Sequence, residues 1–175
     1  ESGFETVFRE NPFREGAHKD IATLAALTAE PLPGRPSRLE TLLRRLCLDE
    51  ATERSHVARR WFGIYLDCVF EPVVALYEEH GIALEAHQQN TLVDVATGWP
   101  RQGFYRDNQG FYLSQAARCE LLRKAPETAT IGSLYFEDEE ICRRLAYYLM
   151  VNQIFSVIAR LGHDGAIVEE ILLDD

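Results

Sequence analysis

The segment from residue 82 to residue 90 brings several chemically useful side chains close together. If this segment is an extended strand, its two-residue period puts Glu85, His87 and Gln89 on one face. The other face then carries the apolar side chains of Ile82, Leu84 and Ala86. A charged acceptor, a titratable ring and an amide are an unusual set for a solvated strand face, and Asn90 can add a second amide or turn the chain. The spacing indicates a functional cluster, with an ordinary solvated face as the alternative.

A second polar pair, Arg106-Asp107, precedes the tripeptide at residues 108–110. Aspartate at the first position and glycine at the last are ordinary residues for a type I hairpin turn. If strand pairing brings Asp107 close to His87, the carboxylate can hold the imidazole in one tautomer or help to bind a cation. Both interpretations of this pair stay open.

The other reactive residue types are scattered along the chain. Histidines near the ends of predicted helices, which we expect to be solvated, are His18, His56, His80 and His163. Tyr147 and Tyr148 lie within a predicted helix and are expected to pack rather than to bind a ligand. The four cysteines have no CxxC spacing, which indicates reduced thiols in a cytoplasmic protein. Glycine-rich phosphate loops and the GxSxG and HExxH motifs are missing from this sequence.

Composition places the chain among single globular domains. It has 175 residues, 46% of them hydrophobic and 26% charged, and a formal net charge of −10. A net negative charge provides no general attraction for a phosphate backbone or an anionic bilayer, and no apolar run approaches the roughly 18 residues of a membrane helix. We therefore expect one domain over residues 1–175 and neither nucleic acid nor a membrane as partner.

The spacing of apolar residues predicts an α+β chain that is mainly helical. Predicted helices cover 19–29, a segment starting at the capping box Ser37–Glu40, 52–80 with a kink at Pro72 and a stop at Gly81, 114–124, 138–161 and 164–173. Residues 1–14 read as a short strand or extended arm, and residues 30–37 as a Pro-rich loop. A small antiparallel sheet at about 82–113 is predicted from strands at 82–90, 91–95, 102–106 and 111–113.

The residues around His87 are similar to a known family signature. The run Gly81-Ile-Ala-Leu-Glu85-Ala-His87-Gln-Gln89-Asn90, followed by Arg106-Asp107-x-x-Gly110, resembles that of the IucA/IucC family, the NRPS-independent siderophore synthetases. The segment Arg9-Glu10-Asn11-Pro12 and the helix from Trp61 to Gly81 also look like that family. The resemblance spans roughly residues 5–160.

The resemblance implies a cytoplasmic enzyme that uses ATP and Mg²⁺ to activate a carboxylate, that of citrate or a related acid, as an acyl-adenylate. An amine or hydroxyl then captures the acyl group, and a homodimeric parent enzyme is a further expectation. This segment would be the C-terminal palm of a thumb, fingers and palm fold. His87 would lie beside the reacting carboxylate and the α-phosphate, with Gln89 and Asn90 lining the same pocket. Glu85 and Asp107 would serve as metal or hydrogen-bonding carboxylates, and Arg106 as an anion contact.

Two other functions compete with the synthetase. A His or Asp followed three residues later by Asn, and then by an acidic turn, is similar to the catalytic loop of a kinase-like phosphotransferase. The alternation Glu85, His87, Gln89 speaks against it, because it continues a strand whereas a kinase loop is irregular. The second competitor is a helical interaction module without chemistry, in which the polar strand face is simply a satisfied network.

The 175-residue chain by itself should show no citrate-dependent exchange of pyrophosphate into ATP. The family resemblance implies a Ser/Arg/Thr-type phosphate loop and a lysine upstream of this segment, so we expect a C-terminal fragment of a longer synthetase. Adenylation requires that the charge on the triphosphate be neutralised. An exchange assay with labelled pyrophosphate tests this prediction, and robust exchange would place the phosphate site within these residues.

Overall fold

The structure, a computed structural model, describes residues 20–106 and 110–173 and confirms a mainly helical α+β chain. Its helices are α1 (Leu24–Thr28), α2 (Arg38–Glu50), α3 (Arg54–Tyr65), α4 (Glu71–His80), α5 (Arg118–Lys124), α6 (Asp138–Leu145), α7 (Phe155–His163) and α8 (Glu169–Leu173). Two π-helical segments, here called π1 (Leu66–Phe70) and π2 (Ala146–Ile154), join α3 to α4 and α6 to α7. The strands are β1 (Ile21–Thr23), β2 (Ile82–Leu84), β3 (Thr91–Asp94), β4 (Gln102–Tyr105), β5 (Phe111–Ser114) and β6 (Tyr135–Phe136), and a 3₁₀ stretch covers Pro126–Leu134.

The helix predicted at 19–29 is shorter than expected, because its first part is strand β1. β1 pairs antiparallel with β3, Ile21 lying opposite Asp94. Helix α1 then begins after Thr23, whose Oγ1 accepts a hydrogen bond from the N–H of Ala26 at 3.2 Å. The apolar spacing was compatible with a helix, but β-branched residues at 21 and 23 also suit a strand when a partner is available. The arm predicted at 1–14 lies outside the described residues.

Helix α2 begins where the capping box predicted it. Ser37 is the N-cap, and its Oγ accepts from the N–H of Glu40 at 2.9 Å. The carboxylate of Glu40 pairs with Arg44 and Arg54 and so joins α2 to α3. Between Thr28 and Arg38 the chain forms neither helix nor strand.

The helix predicted at 52–80 is one helical run that contains a local widening. Segment π1 lies immediately before Pro72, which occupies the first turn of α4. Proline lacks an N–H and its ring collides with the carbonyl four residues earlier, so regular α-helical geometry cannot continue through it. The run ends as predicted at Gly81, which has φ 66° and donates to the carbonyl of Tyr77 at 2.8 Å.

The predicted strands are present, but they form two three-stranded sheets rather than one. The first sheet has the order β1-β3-β4 and is antiparallel, and the second has the order β2-β5-β6 with β5 and β6 parallel. β4 and β5 belong to different sheets, so these two strands do not form the hairpin that we expected. Partners from outside the 82–113 segment, β1 and β6, complete each sheet.

Two apolar clusters form the core, and a single long helix spans both. The first cluster packs α2, α3, β3 and α7 around residues such as Trp61, Tyr65 and Val93. The second cluster consists of Val73, Ala83, Ala86, Ile141, Leu145 and Leu149. Helices α6 and α7, joined through π2, contribute Ile141 to the second cluster and Leu161 to the first. The segment that follows β2 therefore lies between the two clusters.

Contrary to our expectation from the sequence, the same long helix meets the length and composition of a membrane span. It covers 26 residues, Asp138–His163, with a mean hydropathy of 1.2, and 39% of its apolar stretch is buried inside the protein. Core helices of soluble proteins meet this criterion too. The buried side of this helix includes Val157 and Leu161.

Replacing Gly81 with alanine should lower the free energy of unfolding by about 1–3 kcal/mol. The backbone has a positive φ there, and an added Cβ would lie 3.1 Å from the Cβ of Ser114 and closer still to that of Ala117. The control is Gly63→Ala within α3, where nothing lies within 4 Å and alanine should stabilise the helix by about 0.5–1 kcal/mol. Urea unfolding of both variants checks the opposite signs, and equal effects would contradict the assigned backbone geometry.

Candidate active site

The segment Glu85–Asn90 is a tight turn, so the predicted polar strand face is wrong. Strand β2 ends at Leu84, and the N–H of His87 donates to the carbonyl of Glu85 at 3.0 Å. The N–H of Asn90 then donates to the carbonyl of His87 at 2.9 Å, which reverses the chain into β3. Of the expected apolar face, Ala86 is buried and Ile82 and Leu84 are half-buried. Ala83 on the opposite face is fully buried, however, so burial does not follow the predicted alternation.

The ring of His87 is oriented by a backbone N–H two residues further along the chain. The N–H of Gln89 donates to Nδ1 of His87 at 3.3 Å. A nitrogen that accepts a hydrogen bond carries no proton, so the neutral ring has its proton on Nε2. Nε2 can therefore donate to a ligand. The ring also lies 6.0 Å, centroid to centroid, from that of Tyr148, at an interplanar angle of 55°.

Glu85 joins the turn to the start of strand β5. Its N–H donates to the carbonyl of Gly110 at 2.6 Å, and its side chain packs directly over this glycine. Any Cβ at position 110 would lie within 3 Å of the carboxylate, so glycine is needed for this approach. Interaction of the Tyr148 hydroxyl with the Glu85 carboxylate raises the pKa of Tyr148 above its usual range.

Tyr148 and Arg144 are members of the site that we did not predict. Tyr112 contributes to the raised pKa of Tyr148 as well, and Nη1 of Arg144 donates to the hydroxyl of Tyr112 at 3.3 Å. The guanidinium lies 4.8 Å from the centroid of the Tyr112 ring, and its Nε donates to Glu140 at 2.8 Å. Arg144 and Tyr148 are four residues apart and lie on one helix face, so their proximity could have been predicted from the sequence.

The predicted residues Asn90 and Arg106 lie immediately before β3 and immediately after β4, respectively. Asn90 is 8% exposed, and its Nδ2 donates to the carbonyl of Glu85 at 3.3 Å, so its side chain helps to hold the turn. The N–H of Arg106 donates to the carbonyl of Asn90 at 3.1 Å. Arg106 and Gly110 are thus both bonded to the Glu85–Asn90 turn, whereas Asp107 lies outside the described residues.

The remaining reactive groups match their expectations where the structure describes them. His56, His80 and His163 are exposed, and His18 falls outside the described ranges. The four cysteines are free thiols. Within residues 20–106 and 110–173, no group of three or more His, Cys, Asp or Glu side chains is arranged to hold a metal ion.

Comparison with known proteins identifies what the chain resembles. A family model described as "Ferric iron reductase FhuF-like transporter" matches residues 59–175. The spermidine-citrate ligase of Bacillus anthracis is 38% identical over 178 residues, which cover 100% of this chain and 29% of that protein. The L-2,3-diaminopropanoate–citrate ligase of Staphylococcus aureus is 31% identical and matches 89% of this chain and 26% of its own length.

A solved structure supports the same relationship. The ATP-bound aerobactin synthetase IucA of Klebsiella pneumoniae superimposes with a TM-score of 0.81 at 31% identity. The match covers 87% of this chain and 27% of that protein, so the chain spans less than a third of the length of its relatives. By the family model the chain belongs to the FhuF-like family, and over about a quarter of their length it is a homologue of the IucA/IucC siderophore synthetases.

Proposed function

We propose that this chain is part of an ATP-dependent synthetase that activates the carboxylate of citrate or a related acid and joins it to an amine or a hydroxyl. The observation that carries the proposal is the orientation of His87, whose Nε2–H is available beside Glu85 and Tyr148 in a homologue of citrate ligases. The Glu85–Asn90 turn would form one wall of the active site. Cytoplasmic location and a homodimeric parent belong to the same proposal.

The reaction brings two anions together before any bond forms. ATP supplies an adenylyl group: a carboxylate oxygen attacks the α-phosphorus and pyrophosphate leaves. The amine or hydroxyl then attacks the activated carbonyl carbon, loses its proton and displaces AMP. Both steps develop negative charge on oxygen, so preorganised donors at those oxygens lower the barrier.

His87 is the best placed of the described residues to act as such a donor. Its Nδ1 is occupied by the N–H of Gln89, which leaves Nε2–H to donate to a carboxylate or α-phosphate oxygen. Gln89 is exposed next to the ring and can present its amide to the same ligand. Arg106, also exposed at the edge of the turn, would provide an anion contact.

The charge beside His87 would be controlled by Glu85, Tyr148 and Arg144. The Glu85 carboxylate raises the pKa of Tyr148, so the tyrosine stays protonated and can donate to this carboxylate. Arg144 adds a cation that reaches this group through the hydroxyl of Tyr112. The arrangement holds a carboxylate near His87 without leaving it unpaired.

A role for Mg²⁺ would depend on Glu85 and Asp107. Magnesium in phosphate-transfer sites is commonly held by one or two carboxylates together with substrate phosphates, so two such residues are enough. The ion would neutralise charge on the triphosphate. The Glu85 side chain packs against Gly110, and its carboxylate would be one of the two ligands.

The competing functions are affected differently by the structure. Our argument against a kinase-like phosphotransferase fails, because the Glu85–Asn90 segment is an irregular turn and not a strand. The homology to citrate ligases now favours the synthetase instead. Release of pyrophosphate rather than ADP would separate the two enzymes, and calorimetric titration with ATP and citrate would separate either one from a non-catalytic interaction module.

Truncation of His87 to alanine in the full-length synthetase should lower its rate by roughly 30- to 1,000-fold, or about 2–4 kcal/mol of transition-state stabilisation. His163→Ala is the control, because that ring is 69% exposed at the end of α7 and contacts Glu30. Pyrophosphate release at saturating citrate and ATP is the measurement, after circular dichroism has confirmed folding. Full activity of folded His87→Ala would exclude the turn as the active site.

Removal of the Tyr148 hydroxyl should slow the same reaction by roughly 10- to 100-fold, since hydrogen bonds to charged groups contribute about 1.5–3 kcal/mol. Tyr148→Phe keeps the ring beside His87 and removes only the hydroxyl, which interacts with Glu85 and Tyr112. Tyr147→Phe is the matched control on the adjacent, 54% exposed residue. Equal rates for the two variants would show that Tyr148 has only a packing role.

A further inference from the structure

A buried glutamine on the long helix contacts the peptide groups around His87. Gln153 lies in π2 with 0% of its surface exposed. Its Oε1 accepts from the hydroxyl of Tyr65 at 2.8 Å. Its Nε2 donates to Oγ1 of Thr91 at 2.8 Å and to the carbonyl of Ala86. All hydrogen-bonding atoms of this amide are directed at named partners in the interior.

The direction of these hydrogen bonds is determined by the carbonyl of Ala86. A carbonyl can only accept, so the NH₂ group of Gln153 must face it and Oε1 must face Tyr65. Burial raises the pKa of Tyr65 well above its usual range, so its hydroxyl keeps the proton that it donates. Thr91 accepts from Gln153 and has its own proton available for the carbonyl of His87 at 3.2 Å.

The chain of hydrogen bonds ends at the two peptide groups that flank His87. The Ala86 carbonyl belongs to the peptide that precedes His87, and the His87 carbonyl belongs to the peptide that follows it. The backbone of His87 is therefore held at two points from the interior, while its ring is held from outside by the N–H of Gln89. A leucine or methionine at position 153 could fill the same space but could not make these bonds.

We propose that Gln153 is a positioning residue that, together with Tyr65 and Thr91, orients the Nε2–H of His87 toward its substrate. The inference rests on the proposed function in one respect only, the assignment of His87 to the active site. The segment that carries Gln153 is π-helical, and such widened turns occur frequently at functional sites. The same helical run carries Arg144 and Tyr148, so one element would supply both the contacts to Glu85 and the support beneath His87.

The first test measures the His87 ring in the 175-residue chain and needs no activity. Long-range ¹H–¹⁵N NMR spectra above pH 8, where imidazoles are neutral, report which nitrogen carries the proton. The wild-type chain should show His87 with its proton on Nε2, and Gln153→Met should shift it to a mixture of both tautomers. Val157→Ala, a buried change one turn further along the same helix, should lower stability without changing the tautomer. An unchanged tautomer in Gln153→Met overturns the proposal.

The second test uses steady-state kinetics of the full-length synthetase. Gln153→Met should lower kcat by about 10- to 100-fold with little change in the KM for citrate, because misplacement of a reacting group affects the chemical step. Thr91→Val should act in the same direction, whereas Thr91→Ser should keep most of the rate because it retains the hydroxyl.

The two tests separate this inference from the function on which it rests. If His87→Ala is slow and folded Gln153→Met is fully active, the positioning role is wrong and the proposed function stands. If His87→Ala is fully active, the proposed function is wrong, and the tautomer measurement alone decides whether Gln153 orients the ring.

Discussion

A chain that reverses direction between two apolar clusters must find hydrogen-bonding partners for its peptide groups there. The reversal at Glu85–Asn90 meets this requirement with internal bonds, with the side chain of Asn90 and with the amide of Gln153. An unsatisfied buried carbonyl costs about 1–3 kcal/mol, a large fraction of the stability of a small domain. The position of the candidate active site therefore follows from where these partners lie.

The other elements can be understood as the support for this reversal. The chain enters the turn from β2 of the second sheet and leaves it through β3 of the first sheet. The long helix crosses both clusters and contacts the turn at successive points, through Tyr148 beside His87 and through Gln153 beneath Ala86. One helix thus contacts the turn both at the ring of His87 and at the carbonyl of Ala86.

Local features were predictable from the sequence, and features that depend on distant partners were not. Ser37 and Gly81 marked helix ends correctly, because capping involves only neighbouring residues. The alternation after Ile82 predicted a longer strand than the one observed, since the turn that ends it is held by the distant Gln153 in addition to its local bonds. The division into two sheets was missed for a similar reason, as β1 and β6 lie far from 82–113 along the chain. The polar residues around His87 were predicted from their spacing and from the family resemblance, whereas Tyr148 was expected only to pack.

The π segments have a consequence for how helices and sheets fit together. In π1 the carbonyl of Val69 accepts from the hydroxyl of Tyr105 on β4, and Gly103 allows that strand to approach, since a Cβ there would be 3.0 Å from the carbonyl of Cys68. In π2 the amide of Gln153 reaches β3 at Thr91. These contacts fix the rotation of each helical run about its own axis relative to the first sheet. Restoring regular α-helical geometry in either run would rotate every residue beyond it by a large fraction of a turn. We therefore expect insertions and deletions within these runs to be far less tolerated than exchanges of side chains.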